Sequence, residues 1–422
     1  MMNKTFLPAD ILIPSGEKCN LSAWSVVACD QYTSEPAYWE KAEAIVGDAP
    51  SALRITFPEI YLEKEGKEER IEKINSSMDD YLESGLFKKY TDSFIYIERT
   101  LADGTTRKGL IGKVDLEKYN YMPGSQSEVR ATEGTVLERI PPRVAIRKNA
   151  SLEIPHIMLL IDDPKCTVIE PLSIKKESFE KVYDFDLMLG GGHIAGYLAN
   201  SETENISAAL TKLADKENFD KKYNVSDKGV LLFAVGDGNH SLATAKECYE
   251  QVKATIPEEE WADHPARYAL VELVNLHDTS LGFEPIHRVV FDVNTAHLLS
   301  ELSKYYDIST DESDGQCFTY VTATGAGSIK IKNPSSNLTV GSLQSFLDFY
   351  TKKYGGRIDY IHGDDVVRSL SSNLGNIGFL LPNISKSELY PTVILDGALP
   401  RKTFSMGHAH DKRFYLEARK IK

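Results

Sequence analysis

The stretch Gly229-Val-Leu-Leu-Phe-Ala-Val-Gly-Asp-Gly-Asn-His-Ser-Leu-Ala-Thr-Ala-Lys246 constrains this chain more than any other. Its opening residues are mostly β-branched or large and apolar, the composition of a buried strand. The polar turn Gly236-Asp237-Gly238-Asn239-His240-Ser241 then leads into an Ala-rich helix running towards Cys248 and Gln251. A strand that breaks through glycines into a helix N-terminus aims backbone N–H groups and the positive end of the helix dipole at the gap, where phosphates bind. Asp237 and His240 add metal-binding or proton-transfer capability. The same residues also suit a plain tight turn, with Gly236 or Gly238 at positive φ and Asn239 or Ser241 capping the helix.

The chain has 422 residues, too many for one simple core, and two domains are expected: a main α+β domain over 1–291 and a smaller α+β domain over 292–422. No run approaches the roughly 18 consecutive apolar residues of a membrane helix. The N-terminal residues carry no signal-peptide apolar region, so a cytoplasmic location is expected. Lys and Arg total 48 against 62 Asp and Glu, a net charge of −14. That balance disfavours nucleic acid, whose phosphate backbone would be repelled. The expected partner is a small-molecule substrate, with no nucleic acid and no membrane; the oligomeric state is left open. Five scattered cysteines form no Cys-x-x-Cys pair and signal neither a zinc site nor a disulfide framework. Cys29 could serve as a nucleophile, but a small buried residue is the plainer reading.

The rest of the chain mixes strands with helices and lacks a regular Rossmann alternation, so the fold class is α+β (mixed α/β). Residues 94–100 and 107–115 read as a hairpin, and 68–84 as a charged amphipathic helix. Strands are expected at 156–162, 266–275 and 284–291, and helices at 177–186, 205–216 and 296–306. The C-terminal domain should hold strands at 327–332, 376–381 and 413–418.

Other segments offer chemistry. Arg130-Ala-Thr-Glu-Gly-Thr-Val-Leu-Glu-Arg-Ile-Pro-Pro-Arg143 brings arginine forks suited to phosphate or carboxylate, and Glu133 could take a proton from a hydroxyl; a helix turn with internal ion pairs is the plain alternative. The Gly190-Gly-Gly-His193 loop lets backbone approach a ligand or acts as a linker. His287 and Arg288 start a strand as a phosphate-reaching pair or as an ordinary ion pair. Arg401, Lys402 and Thr403 could also hold phosphate, while His408 and His410, two apart and without a third ligand, fit an exposed turn. Trp24, Tyr32 and Trp39 around Asp30 read as aromatic core more readily than as pocket lining.

Taken together, these motifs resemble the bacterial and archaeal family catalogued as domain of unknown function number 1015. That family shows a strand followed by Ala-Asp-Gly-His-His-Arg, matched here at Asp237, Gly238 and His240, with Asn239 and Ser241 in place of its first histidine and its arginine. Its Leu-Pro-Thr-His-Arg is similar to the segment holding Pro285, His287 and Arg288. Its His-Glu-x-Thr, followed by an arginine, is similar to Thr132-Glu-Gly-Thr135 with Arg143, and its Met-Pro-Pro-Lys-Ser-Thr to Leu399–Phe404. The turn also resembles the Gly-x-His-Arg turn of sulfiredoxins, ParB-type nucleotidases and free-serine kinases.

The resemblance implies ATP or ADP bound with Mg²⁺. Phosphates would sit on Gly236, Gly238, Asn239 and Ser241, with the metal at Asp237. Arg143, His287 and Arg288 would bind and stabilise charge, Lys402 being a further candidate. Glu133, Asp237 and His240 would form the catalytic set, with Glu133 as base. The activity expected is nucleotide-dependent phosphoryl transfer to a small hydroxylated metabolite, such as the amino acid serine. The alternatives are a regulatory protein that binds nucleotide or metabolite without turnover, and a metal-dependent hydrolase using His193, Asp237 and His240.

Overall fold

Residues 3–62, 64–134, 140–309 and 315–422 are described by the computed structural model. The chain divides into two compact units, Met1–Leu281 with His408–Lys422, and Gly282–Gly407. The expected single boundary near 291 therefore becomes two crossings, because the C-terminal segment returns to the first unit.

Among the described residues the first unit holds a ten-stranded mixed sheet. Its strand order is Glu180–Asp186, His193–Leu198, Ile95–Thr100, Thr106–Asp115, Tyr268–Asn275, Met158–Ile161, Phe233–Asp237, Val129–Ala131 and Tyr119–Asn120; Phe6–Leu7 pairs with Thr106–Asp115. Both faces are covered, which is why its central strands are apolar almost throughout. Ile95 and Ile97 enter one core with Trp24 and Phe414, while Tyr96 enters the other with Phe233, Leu159 and Tyr249.

The expected hairpin is present as Ile95–Thr100 and Thr106–Asp115, and the expected charged helix as Lys67–Glu83. Residues 177–186 are a correction. Instead of a helix they form the strand Glu180–Asp186, paired antiparallel with His193–Leu198. Tyr183 and Phe185 alternate with Asp184 and Asp186, and that period of two outweighs the helix-forming Glu and Lys.

The tail is also a correction. Residues 413–418 make bridges at Val27–Phe414 and Leu12–Ala418 rather than a continuous strand, before Arg419–Lys420 pairs with Leu152–Glu153. Buried charges hold it in place. Arg413 Nη1 donates to Glu272 Oε2 at 2.7 Å, and Arg413 also pairs with Glu417. Arg99 donates to the carbonyls of Gly191, His410 and Lys412, and Arg107 to that of Asp411.

The second unit carries a six-stranded sheet among its described residues, ordered Ile308–Ser309, Gly325–Ile331, Gln316–Thr322, Ile377–Leu380, His287–Phe291 and Arg357–Ile361. The helices Thr295–Tyr305, Thr339–Tyr354 and Asp364–Ser371 accompany it. The architecture is mixed α/β, as expected. No helix among the described residues is long and apolar enough to cross a membrane.

At the junction of the Phe233–Asp237 strand and the helix Asn239–Lys253, Gly238 adopts φ 75° and ψ 27°. A Cβ there would meet the Ile157 Cα at 2.9 Å. Gly238→Ala is therefore expected to cost about 1–3 kcal/mol, from left-handed strain plus a clash with backbone that cannot rotate away. Urea unfolding checks this, and a change below about 0.5 kcal/mol, the range of ordinary surface substitutions, would contradict it.

Candidate functional site

The turn is assembled from neighbouring strand ends. Val129–Ala131 lies parallel to Phe233–Asp237, with Ala131 opposite Val235. Both strands thus end on the same edge of the sheet, which puts Thr132 and Glu133 beside the turn. Thr132 Oγ1 donates to the Val235 carbonyl at 2.6 Å, and the Thr132 N–H to Asn239 Oδ1 at 3.2 Å. Glu133 is half-buried; Thr135 lies outside the described residues.

The helix starts after Gly238 with no side-chain cap, and its first-turn bond runs from the Leu242 N–H to the Gly238 carbonyl at 3.0 Å. Asn239 is turned towards Thr132, and Ser241 towards His156 Nε2 at 3.4 Å, so neither caps the helix. Positive φ falls on Gly238, while Gly236 stays within the strand. His240 is half-buried in the first turn, and its carbonyl accepts from Thr244 Oγ1 at 2.7 Å.

Asp237 Oδ2 faces Lys412 Nζ at 3.2 Å, and its Oδ1 accepts the Gly238 N–H at 2.9 Å. Burial works to raise its pKa, but the charges of Lys412 and His156 and the Gly238 N–H together hold it below the usual carboxylate range. Asp237 is thus ionised at neutral pH and carries its own counter-ion.

Three residues of this cluster carry no local sequence signature: His156, Lys412 and Tyr415. His156 Nδ1 lies 2.9 Å from the Tyr415 hydroxyl, which accepts the Cys29 N–H at 3.1 Å. His156 Nε2 faces Asp30 Oδ2 at 3.7 Å and Ser241 Oγ at 3.4 Å. Burial pushes the Cys29 thiol up to about 12, so it is no thiolate nucleophile. Trp24 and Trp39 are buried in the core, as expected.

A cavity of about 160 Å³ adjoins the helix start, lined by Ser241, Thr244, His156, Tyr415 and Arg143 among others. Asp237, Asn239 and His240 are not among its lining residues. Arg143 forms an ion pair with Glu59 at this cavity.

The remaining candidates have protein partners of their own. His193 has both ring nitrogens 2.7 Å from carboxylates, Nδ1 from Asp186 and Nε2 from Asp184. Burial alone would lower its pKa, but those two carboxylates outweigh burial and raise it. His193, Asp237 and His240 do not form a metal site: among the described residues no group of three or more His, Cys, Asp or Glu could hold an ion.

In the second unit, Arg288 is fully buried. It donates to Gln344 Oε1 at 3.0 Å and to the carbonyls of Ile286, Lys402 and Arg401. His287 Nε2 pairs with Asp364 at 2.8 Å while Nδ1 accepts the Leu381 N–H at 3.1 Å. Arg401 binds Tyr360 and Asp348. These contacts are internal to that unit and brace its sheet. His408 and His410 stack at 5.4 Å between ring centroids beside the short turn Ala409–Asp411.

Residues 12–350 match the family described as protein of unknown function (DUF1015), and the chain belongs to it. No curated protein matches the chain. Similar solved structures include a free serine kinase in complex with AMP, at 10% identity and a TM-score of 0.38, covering 73% of this chain and 91% of that one. Another is SbnI with C-terminal truncation from Staphylococcus aureus, at 10% identity and a TM-score of 0.35, covering 72% of this chain and 82% of that one. A conserved hypothetical protein from Pyrococcus furiosus gives 10% identity and a TM-score of 0.34, covering 72% and 90%. At these values the likeness says nothing about chemistry.

Proposed function

We propose that the chain is a nucleotide-dependent phosphotransferase acting on a small hydroxylated metabolite. The observation that carries this reading is the start of the 15-residue helix at Gly238, where the Asn239–Ser241 amides precede the first-turn bond beside the Lys412 ammonium. Oriented amides and a cation are what a nucleotide phosphate requires.

Asp237 alone would repel phosphate, so the site needs a positive charge between them. Lys412 supplies one. The ionised Asp237 carboxylate is also the hard oxygen donor that Mg²⁺ prefers, and the ion would share it with Lys412. When bound, Mg²⁺ supplies neutralisation of the charge on the phosphate oxygens.

In the transfer, the acceptor oxygen bonds to phosphorus as the bridging P–O bond of ATP breaks. The hydroxyl proton passes to Glu133, and ADP leaves with the bonding electron pair. Such a step needs positioning and electrostatics more than covalent chemistry. Asp237→Asn is expected to weaken Mg²⁺-dependent ADP binding by about tenfold or more while sparing the fold, since it removes a charged ligand and keeps the shape. Calorimetric titration with and without Mg²⁺ checks this, and equal affinities for the two proteins would contradict the assignment.

A second reading is nucleotide binding without turnover. It is favoured by Arg143 and Arg288, both named as charge stabilisers and both engaged with protein partners. A phosphotransfer assay over hydroxylated compounds separates the two.

A further inference from the structure

The 160 Å³ cavity beside the helix start is built unlike a phosphate site. Its walls include Ile55, Phe57, Met78, Ile146, Ile154 and Ile157, all apolar. Its charged groups are neutralised in place: Arg143 pairs with Glu59, and Arg147 Nη2 with Glu153 Oε2 at 2.5 Å. A further charge entering it would displace one of these pairs and lose its own hydration. The other polar groups gather at one end, where Ser241 Oγ, His156 Nε2 and the His156–Tyr415 hydrogen bond meet the first turn of the helix. The volume is close to that of an engineered apolar cavity of about 150 Å³ that takes a single benzene.

From this we infer that the cavity binds an uncharged hydroxylated compound with an apolar body about the size of one six-membered ring, its hydroxyl turned to Ser241 and His156. Its role as the phosphoryl acceptor rests on the phosphotransferase reading above; its existence as a binding site does not. Serine, a zwitterion with almost no apolar surface, would leave the walls unfilled and both its charges without partners. An aromatic or branched aliphatic alcohol satisfies walls and polar end together.

The test uses benzyl alcohol as the probe on the full chain, followed by saturation-transfer NMR, with ADP binding measured separately by calorimetry. Benzyl alcohol is expected to bind, and L-serine at equal concentration is expected not to displace it. Ile146 is half-buried on the short helix Ile140–Arg147, so its side chain can be changed with little disturbance of the core. Ile146→Trp fills the cavity and should lower benzyl alcohol affinity about tenfold or more. Ile146→Ala enlarges it and should bind 2-naphthalenemethanol more tightly than the unchanged protein does.

Absence of benzyl alcohol binding, displacement by serine, or equal affinity in both Ile146 variants would overturn the inference. Since none of these readouts involves nucleotide, loss of the kinase reading shows instead as a flat ADP titration. Benzyl alcohol bound without ADP would leave the cavity a ligand site of another function.

Discussion

Replacing Glu133 with glutamine is expected to reduce phosphoryl transfer by about 10²–10⁴-fold, the range contributed by a positioned general base, while leaving ADP affinity nearly unchanged. The placement behind this expectation comes from strand register. Val129–Ala131 and Phe233–Asp237 run parallel in step, so the residues just past their ends emerge side by side. The Thr132–Asn239 hydrogen bond ties the segment leading to Glu133 to the first residue of the helix. Glutamine keeps the size and most of the hydrogen bonding of glutamate but cannot take a proton, so the change acts on the transition state rather than on ground-state binding. Steady-state kinetics should show the loss in kcat with little change in KM for nucleotide. An unchanged kcat would remove Glu133 from the chemistry.

Replacing Arg413 with leucine is expected to destabilise the first unit by about 3–5 kcal/mol, the usual cost of leaving buried charge uncompensated. Arg413 sits between Glu272 and Glu417, all three buried, and Glu417 also accepts from the Tyr183 hydroxyl. Burial would raise the pKa of Glu272, but Arg107, Arg413 and Arg99 outweigh it and bring the folded value below the ordinary 4.5. The sign follows directly. A carboxylate with a depressed folded pKa contributes stability that is fully present above its unfolded value, near 4.5, and lost as pH falls through the folded value. The unchanged protein should therefore lose stability on acidification below about pH 4.5, and Arg413→Leu should lose much of that dependence, because its Glu272 is no longer held down so strongly.

The same substitution should weaken ligand binding. Lys412 and Tyr415 flank Arg413 and depend on that segment being pinned. Urea unfolding across pH and ADP titration of the variant check both effects. Stability within about 1 kcal/mol of the parent would show the network to be dispensable.

The strand-to-helix junction was legible in the sequence because its signals are local: an apolar run, two glycines and an Ala-rich helix. The hairpin at residues 95–115 was legible for the same reason. His156, Lys412 and Tyr415 were not. The Tyr415–His156 contact spans 259 residues, and nothing in either segment announces the other. A trace of it lay in the tail, where Arg413, Glu417 and Arg419 are interleaved with Phe414, Leu416 and Ala418. That pattern reads as a strand with one solvated face, yet both sets of side chains are buried. Charges buried in pairs look like surface charges in sequence, and this hid the return of the tail to the first unit. Arg288 shows the converse: an arginine beside a histidine suggests phosphate, while its guanidinium is taken up by carbonyls and Gln344.

The most direct test of the central claim is calorimetric titration of the full chain with ADP, with and without Mg²⁺, in parallel with Lys412→Ala. The account predicts saturable one-site binding, strengthened by Mg²⁺ and weakened about tenfold or more when the Lys412 ammonium is removed from the turn. No heat of binding at millimolar ADP with or without metal, or binding indifferent to Lys412, would contradict a nucleotide phosphate at the Gly238 helix start.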